Sequence, residues 1–139
     1  MQVKRFNDVY VVHLQPDDEI IASLKKFAVD NNIKGASVQG IGTTKHIILG
    51  YFDTESKGYN TMETEEDMEL ISAIGSISTL DDDVVVHLHG TFGDDEFKLT
   101  GGHILSADIL ATGEFFVYPT GGTITRKHND DFDLNLFDL

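Results

Sequence analysis

Three of the chain's six histidines fall in one stretch, Val84 to Leu105, with the sequence VVVHLHGTFGDDEFKLTGGHIL. It reads as two β-strands joined by a Gly-Asp-Asp-Glu turn. Side chains alternate faces along a strand, so His87 and His89 point to one side while Val84, Val86 and Leu88 point to the other. The aliphatic face belongs in a core, which leaves the histidine face for chemistry. Residues two apart on a strand are separated by about 6–7 Å, close enough for two imidazoles to lean onto one ion. His103, after Gly101-Gly102 on the return strand, is the third candidate. If Asp94-Asp95-Glu96 forms the loop, closed by Gly93 and Phe97, His87 lies opposite His103 and His89 opposite Gly101. All three histidines then share a face, with a side-chain-free glycine beside them. If the loop is one residue shorter, closed by Gly93 and Glu96, His103 moves to the other face. The site hangs on register.

Three neutral imidazoles on a rigid sheet face suit Zn²⁺ first, with Ni²⁺, Fe²⁺ and Cu²⁺ also acceptable. Three protein ligands leave a coordination position for water, substrate or a carboxylate. An open zinc site lowers the pKa of bound water to about 7, as hydrolysis or hydration requires. The competing readings are an anionic small ligand and simple local hydrogen bonding on a partly exposed hairpin. No other catalytic constellation is present: there is no cysteine, no Gly-x-Ser-x-Gly elbow, no Walker loop and no HExxH.

Most of the chain around these histidines also reads as strand. Met1 to Leu14 reads as one strand, with His13 near its solvated end. Pro16 breaks it, and Asp17, Asp18 and Glu19 place negative charge where a helix begins. Ile20, Ile21, Leu24, Phe27 and Ala28 recur at helical spacing, predicting one amphipathic helix over about 17–31 that packs on the sheet. Ile33 to Gly42 and Lys45 to Phe52 read as successive strands around a glycine turn, with His46 at the start of the second. Tyr59 to Thr64 is a short strand before the acidic run Glu65-Glu66-Asp67. Met68 to Leu80 has two partly apolar faces, as in a strand covered on both sides or at a subunit contact, with a bulge or bend expected at Gly75. After His103, Ile104 to Leu110 completes a strand, and Ala111-Thr112-Gly113 turns into Glu114 to Tyr118. Thr123 to Arg126 is a last strand. The acidic, leucine- and phenylalanine-bearing end either packs on a neighbouring subunit or hangs loosely.

The HLH pair, the GGH after the acidic turn, and the upstream stretches GIGTTKHIILGYFD and EDMELISAIGSIS together resemble the plants-and-prokaryotes-conserved (PPC) domain. The likeness runs in order from about Val3 to Tyr118. It implies an α+β fold, a mainly antiparallel β-sheet sandwich with the one helix, and assembly as a homotrimer. Chain 1–139 is then a single domain with its core over about 3–118 and a C-terminal strand and acidic tail over 119–139. Plant members carry the domain beside AT-hook DNA-binding segments, while bacterial and archaeal members are mostly the bare domain. The likeness also draws attention to Glu114, at a place where the family tends to have a glutamate after a threonine. Its candidate roles are a fourth ligand, a partner that orients an imidazole, or a general base, against an ordinary charge at a strand start.

Charge weighs against nucleic acid. Ten Lys and Arg face twenty-four Asp and Glu, for a net charge of −14. Binding a duplex releases counterions through clustered cations, which the residue order does not supply, and no Arg-Gly-Arg core of an AT-hook occurs. Apolar content of 40% without a long apolar run suggests a globular protein with no membrane span. The start lacks the apolar segment of a signal peptide, and the absence of cysteine fits the cytoplasm. Two functions follow as expectations. One is a trimeric binding or regulatory module whose histidine-lined site holds a metal ion or small ligand. The other is a metal-dependent, cupin-like enzyme, since HxH on a strand is also a cupin feature. The glutamate a cupin would place a few residues after HxH falls here inside the turn, as Glu96.

Overall fold

Every strand of the computed structural model, which describes residues 1–139, joins one sheet, and that sheet closes on itself. In chain order the elements are β1 (Gln2–Phe6), β2 (Val9–Leu14), α1 (Ile20–Asp30), β3 (Ala36–Asp53), β4 (Gly58–Thr64), β5 (Met68–Leu80), β6 (Asp83–Gly93), β7 (Leu99–Pro119), β8 (Thr125–Asn129) and β9 (Leu134–Asp138). β3 pairs with β5 and β7, and β6 joins the far edges of the same two strands, so these four strands form a ring. All pairings are antiparallel except the single parallel link between β5 and β8 at Thr79 and Thr125. The expected mainly antiparallel α+β fold with one helix is what forms.

Glu19 starts the helix, two residues later than Asp17. Its extended backbone lets the carboxylate accept from Ile21 N at 2.9 Å and Ala22 N at 2.6 Å. Asp17 adopts φ of 69°, outside the helical range, and pairs with Lys45 at 2.7 Å. Asp18 binds the N-terminal amine at 2.7 Å. At the other end the Asn31 side-chain amide donates to Phe27 O, which also accepts from the Asn31 backbone N–H. Ile20, Leu24, Phe27 and Ala28 form the buried stripe, and the helix rests on β6 and β7. Below it lie Leu14, Leu88, Phe92, Ile109 and Phe115, all fully buried.

Several expected strand boundaries differ. Met1 to Leu14 is a hairpin, because Asn7 takes φ of 53° and reverses the chain between Phe6 and Val9. Ile33–Gly42 and Lys45–Phe52 merge into β3, whose irregularities are register shifts in a continuous strand. The Ala111–Gly113 turn is likewise absent: Thr43 Oγ1 accepts from Ala111 N at 3.0 Å and Thr112 N at 3.4 Å, holding β7 in line. The acidic end pairs back on β8 as β9, with Asp133 at φ of 57° in the turn.

On β5 the bulge falls between Leu70 and Ser72, not at Gly75. It switches which residues face inward: Met68, Leu70, Ala73 and Ile77 are buried, while Ile71 and Ile74 point out. Gly75 instead pairs regularly with Leu88 and Val38. A Cβ there would stand 1.9 Å from the carbonyl oxygen of His87, so the missing side chain is what lets β6 approach β5. A Gly75→Ala variant should lose at least about 2 kcal/mol of unfolding free energy in urea titrations. Gly58→Ala, where the nearest atom would be 3.8 Å away, should stay within about 1 kcal/mol of the parent.

Candidate metal centre

The β6–β7 loop decides whether the histidines meet. It has neither of the two lengths considered from sequence. Gly93 pairs with Leu99, so the loop is Asp94 to Lys98. Asp94 builds it: its Oδ1 accepts from Glu96 N at 2.9 Å and Lys98 N at 2.8 Å, and its backbone N–H donates to Lys98 O at 3.1 Å. Phe97 takes the left-handed turn at φ of 61°. The result places His89 opposite His103 and Thr91 opposite Gly101, in place of His87 opposite His103. Relative to the longer expected loop the register moves by an even number of residues, so the face is preserved. All three histidines stand together.

Their ring centroids are 5.1 Å apart for His87–His89, 4.9 Å for His87–His103 and 5.5 Å for His89–His103. One ligating nitrogen from each can be chosen so that all lie within 4.8 Å of one another. His89 is exposed, whereas His87 and His103 are half-buried. The glycines next to His103 serve the backbone more than the ligand. A Cβ on Gly101 would lie 2.6 Å from Gly90 O, so its absence lets β7 close on β6.

His103 Nδ1 is buried and has no hydrogen-bond partner. A buried imidazole nitrogen without a partner forfeits its hydration for nothing, unless a ligand occupies it. Tyr59, from β4, covers His103 with ring centroids 5.4 Å apart. Burial, then the neighbouring His103, Arg126 and His89, pushes His87 down to about 4. Burial, His89 and Arg126 lower His103 as well. Both imidazoles are therefore neutral at pH 7, the state in which a ring nitrogen offers a lone pair to a cation. The donor set fits a transition metal of the zinc class.

Arg126 was legible in sequence only as half of a basic pair, yet it reaches the site. Its Nη2 lies 3.3 Å from His87 Nδ1. Nε donates to Ser78 Oγ at 2.7 Å and Nη1 to Asn135 O at 2.8 Å, while the guanidinium stacks 4.6 Å from the Phe137 ring centre. No local pattern marks it, because it arrives through the β8–β9 hairpin docking at β5.

Glu114 does not join the group within the chain. It pairs with His13 on β2 and Ile41 on β3. The row Phe116–Gln39–Ile74–His89 puts two whole strands, β3 and β5, between the Glu114 end of β7 and His89, and Glu114 is outside the histidine cluster. β7 is long, and its second half leaves β6 behind to pair with β2 and β3. His46 pairs with Glu65 at 3.0 Å, and His128 lies 3.4 Å from Asp130; neither enters the cluster.

The depressed His87 value fixes a pH dependence for the metal-free protein. The unfolded chain takes up a proton at this residue below about 6.5, while the folded chain resists until about 4. The stabilisation is complete above 6.5 and is lost as pH falls toward 4. Replacing His87 with Asn should make the slope of stability against pH shallower in that window by up to about one proton, measured by urea unfolding at a series of pH values.

The pattern of the Plants and Prokaryotes Conserved (PCC) domain matches residues 1–120. A Bacteroides thetaiotaomicron protein, provisionally named DNA-binding, is 32% identical with a TM-score of 0.96, covering 99% of this chain and 96% of that one. The plant- and prokaryote-conserved protein of Pyrococcus horikoshii is 30% identical with a TM-score of 0.88, covering 99% and 94%. A protein of Archaeoglobus fulgidus described as metal-containing is 27% identical, also with a TM-score of 0.88, covering 99% and 96%. No curated protein matches. With the matched pattern spanning most of the chain and the fold shared nearly end to end, this protein belongs to the Plants and Prokaryotes Conserved domain family.

Proposed function

We propose that the chain is a homotrimeric binding or regulatory module whose His87, His89 and His103 hold a transition-metal ion, zinc first, leaving a position for a small ligand. The observation that carries this is the buried, unpartnered His103 Nδ1 inside a cluster whose ligating atoms lie within 4.8 Å of one another. The name of the Archaeoglobus relative supports it. The histidines would donate three lone pairs, and Tyr59 would shield one side from water. Such an ion would supply a Lewis-acidic position for an oxygen-bearing ligand. The enzyme reading rests on the same three histidines and has to do without Glu114 as a nearby general base within the chain.

Charge argues against DNA as the partner, despite the name of the Bacteroides relative. At −14, and with its cations dispersed, the chain lacks the footprint that phosphate neutralisation requires. No helix is long and apolar enough to cross a membrane. With the absence of cysteine, we place the protein in the cytoplasm. The trimer is supported by the outer sheet face, where Ile41, Ile71, Ile74 and Phe116 are exposed together around Glu114.

Elemental analysis of protein purified without a metal-affinity tag should find about one transition-metal ion per chain, lost in the His87→Ala/His89→Ala double variant. A wild type that takes up no zinc even when supplied with it ends the metal reading. Sedimentation equilibrium should give three times the chain mass of 15.4 kDa. Ile74→Glu, at a side chain 63% exposed in the single chain, should shift that mass downward. An unchanged assembly would place the subunit contact elsewhere.

A further inference from the structure

We propose that the small ligand of the three-histidine site carries a carboxylate, and that Arg126 is the side chain that binds it. The proposal deepens the metal reading above and rests on it.

Arg126 is a half-buried cation in a chain with twenty-four acidic residues, yet it forms an ion pair with none of them. Ser78 Oγ, Asn135 O and the face of Phe137 hold it in place instead. All are neutral. Burying a guanidinium against neutral partners alone leaves its charge uncompensated, which is costly unless an anion arrives. A guanidinium has five N–H groups. The contacts to Ser78, Asn135 and His87 engage three, so about two remain spare in the metal-free chain.

The contact with His87 shows when the anion is wanted. Arginine has no acceptor, so at 3.3 Å the hydrogen bond runs from Arg126 Nη2 to a bare Nδ1 of His87. The proton of the neutral imidazole then sits on Nε2. If His87 ligates a cation through Nε2, that proton must move to Nδ1, which can no longer accept from Arg126. If His87 ligates through Nδ1, that atom is again lost to Arg126. Under either choice, loading the histidines deprives Arg126 of its only partner in the cluster and frees a charged donor beside the open position. The same hydrogen bond that occupies Arg126 in the metal-free chain is broken by loading.

With the His87 contact broken, about three N–H groups are spare, and a pair of them matches the two oxygens of a carboxylate monoanion in the bidentate fork. A phosphoryl group carries three oxygens and nearly two charges. No second cation accompanies Arg126 in its contacts. A small acid bearing an adjacent oxygen therefore fits: its carboxylate meets Arg126 while its other oxygen reaches toward the histidines.

Cobalt-substituted protein gives the test, because its visible absorption reports on the histidine site without any assay of turnover. The titrants are glycolate, its neutral amide glycolamide and inorganic phosphate, each against wild type, Arg126→Ala and Arg126→Lys. Cobalt uptake is measured first. Glycolate should change the spectrum saturably and bind more tightly than glycolamide or phosphate. Arg126→Ala should weaken glycolate by at least about tenfold while cobalt uptake is no lower than that of the wild type, with Arg126→Lys in between. Equal glycolate affinity in wild type and Arg126→Ala overturns the proposal while leaving the metal reading intact. So does glycolamide or phosphate binding as tightly as glycolate to the wild type, a comparison that decides the matter even if the alanine variant fails to fold by circular dichroism. A wild type that takes up no cobalt brings down the metal reading and this proposal together.

Discussion

Strand β6 is hydrogen-bonded along both of its edges. One edge is held by β5 and the other by β7, and this closes the four-strand ring. A strand paired on both edges cannot slip without breaking two ladders at once, so its register is stiff. Its inward face, with Leu88 and Phe92, fills the core beneath the helix, and its outward face presents His87 and His89. The site and the core are two faces of the same strand. Whatever holds one in register holds the other.

Two local features make that closure possible. Gly75 lets the His87 carbonyl approach β5, and Gly101 lets β7 approach the Gly90 carbonyl. Both glycines lie beside the histidines in space, and both act through the backbone. Asp94 supplies the third element by organising the loop with its own carboxylate, so that the return strand comes back with His103 facing its partners. Removing side chains at two positions and adding an acceptor at one brings three imidazoles within reach of a single ion. Burial then keeps two of them neutral, so the arrangement is primed for a cation without a large proton release.

The C-terminal hairpin adds what the ring lacks. It is anchored to β5 by one parallel bridge and carries Arg126 over the histidines. The β8–β9 hairpin lies beyond the matched family pattern, which ends at residue 120. The part of the chain outside that pattern is thus the part that places a positive charge at the candidate site.

What could be read from sequence alone was what period and residue type encode. The helix was legible because Ile20, Leu24, Phe27 and Ala28 repeat at helical spacing, and its start was missed by a few residues because three acidic side chains compete for one capping position. The common face of His87 and His89 followed from strand alternation. The α+β class and the family likeness came from ordered motifs covering most of the chain. Tertiary structure decided the rest. Loop length, and with it the position of His103, depends on how Asp94 folds its own turn and where β7 meets β6. The inward face of β5 depends on a bulge at Ile71 that alternation cannot reveal. Glu114 drew attention by its neighbours in sequence, but β7 runs on past β6 and pairs it with β2 and β3 instead. Arg126 drew almost none, because its place at the histidines is made by strand pairing between residues distant in the chain, and pairing at a distance leaves no local pattern to read.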